Sequence, residues 1–255
     1  MQSDHKIIAS KYPVHGHLLA DMREIGWEQA LQDDQTLLRL ASPQGMEFEA
    51  LGKRFSLDEL HIKDILNPSH PPQFTRLKNG ALHIILRFPV KCDREDETSE
   101  ATSVSIPADK KMCALVWPGE RYHHFSNHDL IGLTVEECVC KIIHLLVDYL
   151  LRRVYVLREE MDEFEDECLA DAANADLGRL LLMRKEFAVL ARYARTNALA
   201  IEKLREDSSY RENLRLADAH EHMQRASVIA ESRAEHVLSL MQAVQSLLSQ
   251  RLNQV

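Results

Sequence analysis

The apolar positions of this chain follow two different rhythms. Up to about residue 133 they come in short runs broken by proline, glycine and polar clusters. TLLRLAS, from Thr36 to Ser42, is one such run, and Pro43 and Gly45 close it, which predicts a strand. In MEFEALGKRFSL the spacing changes, and Phe48, Leu51 and Phe55 recur at three and four, as on a helix. DELHIKDILN, Asp58 to Asn67, predicts a second short helix with Leu60, Ile62, Ile65 and Leu66 on its apolar face and Pro68 as its stop. Phe74–Leu77 and Ala81–Phe88 flank Asn79-Gly80, the strongest short hairpin signal in the sequence. KCDREDETSE reads as a polar, acidic loop, and VSIP and MCALVWP read as strands on either side of Ala108–Lys111. Short strands alternating with helices predict a sheet covered by helices.

From Thr134 onward there is no proline, and the apolar stripes become long. Thr134-Val-Glu-Glu137 fits a capping box, with the threonine as N-cap and Glu137 reaching back. Three helices follow from the breaks at Asn174–Gly178 and Asp207–Tyr210, over 134–170, 176–206 and 212–255. At about 1.5 Å per residue the last is roughly 60 Å long. Its seam of Met223, Ala226, Ala230, Val237, Leu240, Val244 and Leu247 approximates a heptad, which Arg233 interrupts. This helix runs through AEHVLSLMQAVQSLLSQRLNQV to the last residue with no glycine or proline to stop it. The expected fold class is therefore α/β. An N-terminal α/β sandwich domain with a mixed sheet, 1–133, is followed by a region of long helices, 134–255.

Charge and cysteine usage narrow the function classes. A net charge of -9, from 40 acidic and 31 basic residues, argues against nucleic acid as a partner, because phosphate neutralisation needs basic patches. The five cysteines are odd in number and contain no CxxC pair, which predicts reduced thiols rather than a disulfide frame or a zinc site. The N-terminus lacks a secretory signal, and nowhere do 18 consecutive apolar residues occur. No GxSxG, P-loop or GxGxxG is present, so nothing points to an enzyme.

Two groups of residues carry candidate chemistry. EEMDEFEDE, Glu159 to Glu167, is a run of carboxylates that a fold does not require. It reads either as a loose cation-attracting surface or as a solvated face above a buried stripe of Met161, Phe164 and Cys168. On the last helix, Asp218, Glu221 and His222 stand at i, i+3 and i+4 and share a face. Carboxylates favour hard cations, and an imidazole adds affinity for Zn²⁺ or Co²⁺. One helix supplies too few ligands by itself, so the alternative is an ordinary polar face. His15-Gly-His17 and His123-His124 sit in loop-like context without the spacing of a zinc motif. His83, on an apolar strand, reads as a hydrogen-bonded core or edge residue.

The order of these elements resembles the CorA-like divalent-cation channels. In FSLDELHIKDILNPSHPPQFTRLKNGALHIILRF the matching positions are Phe55, Leu57, Leu60, Asp64, Ile65, Leu66, Asn67, Phe74, Ile84, Ile85 and Leu86. The departures are Asp58, where the family usually has histidine, and Pro71-Pro72-Gln73, where it usually has Arg-Pro-Lys. Asn253-Gln-Val255 resembles the family's Asn-x-Val at the membrane entrance.

The resemblance implies an α/β/α sandwich whose last helix is a stalk leading into membrane spans. The stalk would then end at the membrane entrance, and the two spans and their Gly-Met-Asn loop would lie outside this chain. It further implies a homopentamer on the cytoplasmic face of the inner membrane. There, Mg²⁺ or Co²⁺ would bind between subunits and hold the channel closed. The closest matches to the family's sensor carboxylate pair are Asp93 on the strand side, with Glu95 and Asp96 sharing its place, and Glu221 on the stalk, with Asp218 one turn away and the imidazole of His222 as a further candidate ligand. Gln242 stands where some members carry a stalk aspartate. The same fold serves the ZntB-type zinc transporters, and His220 and His222 beside Glu221 leave Zn²⁺ open. The competing expectation is a soluble coiled-coil scaffold that assembles without metal.

Overall fold

The computed structural model describes residues 7–9, 14–41, 46–67, 69–90, 98–117, 121–123 and 126–253. Its strands are β1 (Ile7–Ala9), β2 (Val14–Leu18), β3 (Glu24–Ile25), β4 (Thr36–Ala41), β5 (Gln73–Arg76), β6 (Leu82–Val90), β7 (Thr98–Ile106), β8 (Met112–Trp117) and β9 (Arg121–His123). Its helices are α1 (Trp27–Ala30), α2 (Met46–Phe55), α3 (Glu59–Leu66), α4 (Val135–Ala170), α5 (Leu177–Arg205) and α6 (Leu214–Asn253). The chain divides into two compact units, one of Met1–Val147 with Thr196–His220, the other of Asp148–Arg195 with Glu221–Val255.

In the first unit seven strands form one sheet in the order β3-β2-β4-β8-β7-β6-β5, and β1 pairs with β9 in a separate ribbon. The pair β4 and β8 is parallel and the other neighbours are antiparallel, so the sheet is mixed as expected. The hairpin at Asn79-Gly80 forms, with Phe74 opposite Ile84 and Arg76 opposite Leu82. Gly80 has φ +91°, a left-handed conformation that most side chains resist, and the Asn79 side chain accepts the Ala81 N–H at 3.0 Å.

One face of the sheet buries Leu38, Leu40, Met112, Ala114 and Val116 against Leu51 and Phe55 of α2 and Ile65 of α3. The carboxylate of Asp58 caps α3 by accepting the N–H groups of Leu60 and His61, both at 2.9 Å. Alternation along the strands sends Cys113 to the opposite face, where its thiol meets Cys138 of α4. In the first unit Val139, Ile142, Ile143 and Leu146 of α4 and Ile201 and Leu204 of α5 are buried as well. The layers are therefore helix, sheet, helix.

The sheet extends further than the short runs predict. The His15-Gly-His17 stretch is the middle of β2 rather than a loop, and His17 is buried. Thr98–Glu100, expected in the acidic loop, already belongs to β7.

The second unit contains the later part of α4, most of α5 and most of α6. Arg153 pairs with Glu186, and Arg179 with Glu167, so α4 and α5 run antiparallel. Asp148 pairs with His222, Asp162 with Arg233 and Glu165 with His236, so α4 and α6 run parallel. Met161, Phe164 and Cys168 are buried, as is the seam of Met223, Ala226, Ala230, Val237, Leu240 and Val244. Leu247, counted in that seam from the sequence, is 37 % exposed.

Candidate metal-binding residues

The stalk residues singled out from the sequence lie on α6, downstream of its start at Leu214. The helix begins there because Asn213 caps it, its side chain accepting the Leu216 N–H at 3.2 Å. In the first unit, Asp218 Oδ2 lies 3.4 Å from Nδ1 of His144 on α4. The aspartate side chain is 48 % exposed. His144 is a residue that sequence reasoning missed. It stands in the apolar stripe of α4, next to Ile143 and Leu145, and nothing in that pattern marks it as a partner of α6.

In the second unit, Glu221 Oε1 pairs with Arg225 at 2.7 Å across one turn of α6. His222 Nδ1 lies 3.3 Å from Oδ1 of Asp148 on α4. Asp218, Glu221 and His222 therefore have three different partners. Among the described residues no three His, Cys, Asp or Glu side chains come together in a way that could hold a metal ion. Asp93, Glu95 and Asp96 lie outside the described residues.

The acidic run of α4 resolves into two kinds of carboxylate. Glu160 pairs with Arg153 at 3.1 Å, Asp162 with Arg233 at 2.6 Å and Glu165 with His236 at 3.3 Å. Glu159, Glu163 and Asp166 are exposed. Part of the run thus holds the helices of this unit together, and part faces solvent.

The remaining soft or imidazole groups are poorly placed as ligands. Cys113, Cys138, Cys140 and Cys168 are free thiols, all buried. The Cys113 thiol is pushed up by its hydrogen bond with Cys138 and by burial, and burial pushes Cys140 up to about 12. Metal binding needs the thiolate, which burial disfavours at Cys113 and Cys140. His17 is pushed down to about 4 by burial and by the Arg39 guanidinium, and its ring N–H donates to the Met22 carbonyl. His83 is fully buried, with Nδ1 2.8 Å from Ser105 Oγ, in keeping with the hydrogen-bonded core residue expected.

Over residues 36–255 the sequence matches the family described as CorA-like Mg²⁺ transporter protein. The chain belongs to this CorA-like family. None of the curated proteins matches the sequence. Among solved structures, it is similar to the soluble domain of CorA from Methanocaldococcus jannaschii, with a TM-score of 0.72 and 15% identity over 95% of this chain and 99% of that one. The complete CorA magnesium transporter of the same organism superposes with a TM-score of 0.77 and 14% identity, covering 96% of this chain and 80% of the other. The ZntB cytoplasmic domain from Vibrio parahaemolyticus RIMD 2210633 superposes with a TM-score of 0.69 and 14% identity, covering 98% and 99% of the two chains. At these identities the likeness is one of fold. No described helix of this chain is long and apolar enough to cross a membrane.

Proposed function

We propose that this chain is the cytoplasmic sensing and gating domain of a CorA-like divalent-cation channel or transporter, with Mg²⁺ as the first choice of cation and Co²⁺ beside it. The observation that carries the reading is the family match over 36–255, which spans strands β4 to β8 of the sheet and the long helix α6. In this reading the chain assembles as a homopentamer on the inner face of the cell membrane, and the ion path is supplied by membrane spans outside these residues. Asp93, Glu95 and Asp96 of one subunit and Asp218, Glu221 and His222 of its neighbour share the regulatory cation. The exposure of Asp218 and Glu221, at 48% and 66%, supports this, since both carboxylates are open to a hydrated ion. Bound cation cancels their mutual repulsion, and its loss at low Mg²⁺ releases the closed state.

A second reading, transport of Zn²⁺ as in a ZntB-like protein, rests on one specific observation. His144 Nδ1 lies 3.4 Å from Asp218 Oδ2, and a mixed imidazole and carboxylate pair suits Zn²⁺ or Co²⁺ better than Mg²⁺.

Titration calorimetry with Mg²⁺, Co²⁺ and Zn²⁺ separates the two, with limited proteolysis as a second readout. Mg²⁺ is expected to protect the chain, and Asp93→Ala combined with Glu221→Ala to weaken that protection. Equal protection of variant and parent would end the sensing role of these carboxylates. Tight Zn²⁺ binding that His144→Ala abolishes, without a Mg²⁺ response, would move the assignment to zinc.

A further inference from the structure

We infer that an exposed basic face of α5 docks on the carboxylate face of α4 in a second copy of this chain. Both faces belong to the second unit, and they are opposite in charge. On α5 the face is Leu181, Lys185, Ala188 and Arg192, which recur at i, i+4, i+7 and i+11 and are all exposed. Leu182 and Arg184 flank it. From Leu177 to Arg195 this helix carries one carboxylate, Glu186, and Arg153 of α4 holds it. Arg179 and Arg195 are likewise engaged within the chain, by Glu167 and Glu231. Arg184 and Lys185 are exposed and have no ion-pair partner among the described residues.

On α4 the face is Val156, Glu159, Glu163 and Asp166, at i, i+3, i+7 and i+10, all exposed. The other carboxylates of the run, Glu160, Asp162, Glu165 and Glu167, pair within the chain. Glu159, Glu163 and Asp166 have no such partner among the described residues. Like charges one turn apart repel, so the helix gains nothing from this face by itself. The leucines of α5 argue the same way, since Leu181 and Leu182 are 53% and 65% exposed beside unpaired cations. An interface takes such aliphatic groups into its centre with charges at the rim, and Val156 is the apolar counterpart on α4.

Lys185 to Arg192 and Glu159 to Asp166 each advance seven residues, about 10 Å along a helix, so the two stripes match in length. Both are exposed in the single chain, so they do not meet within it. Each copy offers one face of each sign. The contact is therefore head-to-tail, repeats from copy to copy, and closes into a ring where the rotation allows. An anionic lipid surface fits the α5 face alone and is repelled by the α4 carboxylates, whereas a second copy uses both. The inference rests on the self-association proposed above and supplies the surfaces for it.

The test measures self-association of the chain by sedimentation velocity over a range of protein concentrations, at about 50 mM and about 500 mM salt. Arg184→Glu with Lys185→Glu reverses the α5 face, and Glu159→Lys with Glu163→Lys reverses the α4 face. Each reversed chain is expected to associate about tenfold more weakly than the parent, whose own association weakens with salt. The chain carrying all four substitutions is expected to recover, because opposite charges face each other again. Should a reversed chain fail to fold by far-ultraviolet circular dichroism, Arg184→Gln with Lys185→Gln takes its place. Self-association that neither reversal weakens would overturn the inference and leave the homopentamer to other surfaces. Weakening without recovery in the fourfold variant would also overturn it, since the two faces would then not meet. A parent chain that stays monomeric at every concentration and both salts would overturn the inference and self-association together. Cosedimentation of that monomer with phosphatidylglycerol vesicles would then assign the α5 face to an anionic lipid surface.

Discussion

Arg233 Nη1 on α6 lies 2.6 Å from Asp162 Oδ1 on α4, and its own helix brings His236 to within 3.3 Å of Glu165. This pairing accounts for two features of the sequence together. Arg233 interrupts an otherwise apolar seam because its position faces the acidic run rather than the core. The acidic run in turn is tolerated on one helix because basic groups of the parallel helix neutralise part of it. The ion pair is partly solvated, with side chains 25% and 48% exposed, so its net contribution is expected to be small.

The direction of the effect is nevertheless checkable by charge reversal. Arg233→Glu places a third carboxylate between Asp162 and Glu165 and is expected to cost about 1–2 kcal/mol. Asp162→Arg in the same chain restores an opposite-charge pair and should recover at least half of the loss. Thermal unfolding of the two single variants and the double variant measures the coupling. Additive effects with no recovery would mean that the contact contributes nothing in solution.

How much of this was legible in the sequence depends on the range of the interactions involved. The capping box at Thr134 and Glu137 forms as its spacing predicts, with Thr134 Oγ1 accepting the Glu137 N–H at 3.3 Å and Glu137 Oε2 accepting the Thr134 N–H at 2.9 Å. The Asn79-Gly80 hairpin and the bounds of α5 are equally local and were equally readable. Strand β2 was not, because VHGHL lacks a run of apolar residues and its pairing with β4 is non-local. The candidate ligands Asp218, Glu221 and His222 could be placed on one helix from their spacing. Their partners His144, Arg225 and Asp148 could not all be named, since two of the three sit on a different helix, at a register that tertiary packing sets.

Gly16 marks a close backbone approach in the sheet. A Cβ at this position would lie 2.7 Å from Ala30 Cβ and 3.0 Å from the Ile25 carbonyl oxygen. Both neighbours belong to the turn that folds β3 and α1 back onto β2, so neither can move without the other. Gly16→Ala is expected to destabilise the chain by about 1–3 kcal/mol, as overpacking typically does. Gly26→Ala is the internal control, because no atom lies within 4 Å of the Cβ it would add. Chemical denaturation of the pair settles the point, and equal midpoints for the two variants would contradict the close approach.

Two buried imidazoles give the fold a defined response to acid. Burial pushes His17 down to about 4, helped by the positive Arg39, and pushes His83 down to about 3, helped by His61 and His70. An unfolded histidine titrates near 6.5, so below that pH the unfolded chain binds protons that these two sites refuse. Their contribution to stability is therefore complete above about pH 6.5 and is lost progressively as the pH falls towards 4 for His17 and 3 for His83. Urea midpoints measured from pH 7.5 down to pH 4.5 should fall steadily, with the steepest loss beginning below about pH 6.5. His17→Gln keeps a donor for the Met22 carbonyl but carries no titratable ring, so its stability curve should be flatter over this interval than that of the parent. A parent curve that is level between pH 6.5 and 4.5, or a His17→Gln curve of unchanged slope, would mean that His17 is charged in the folded chain after all.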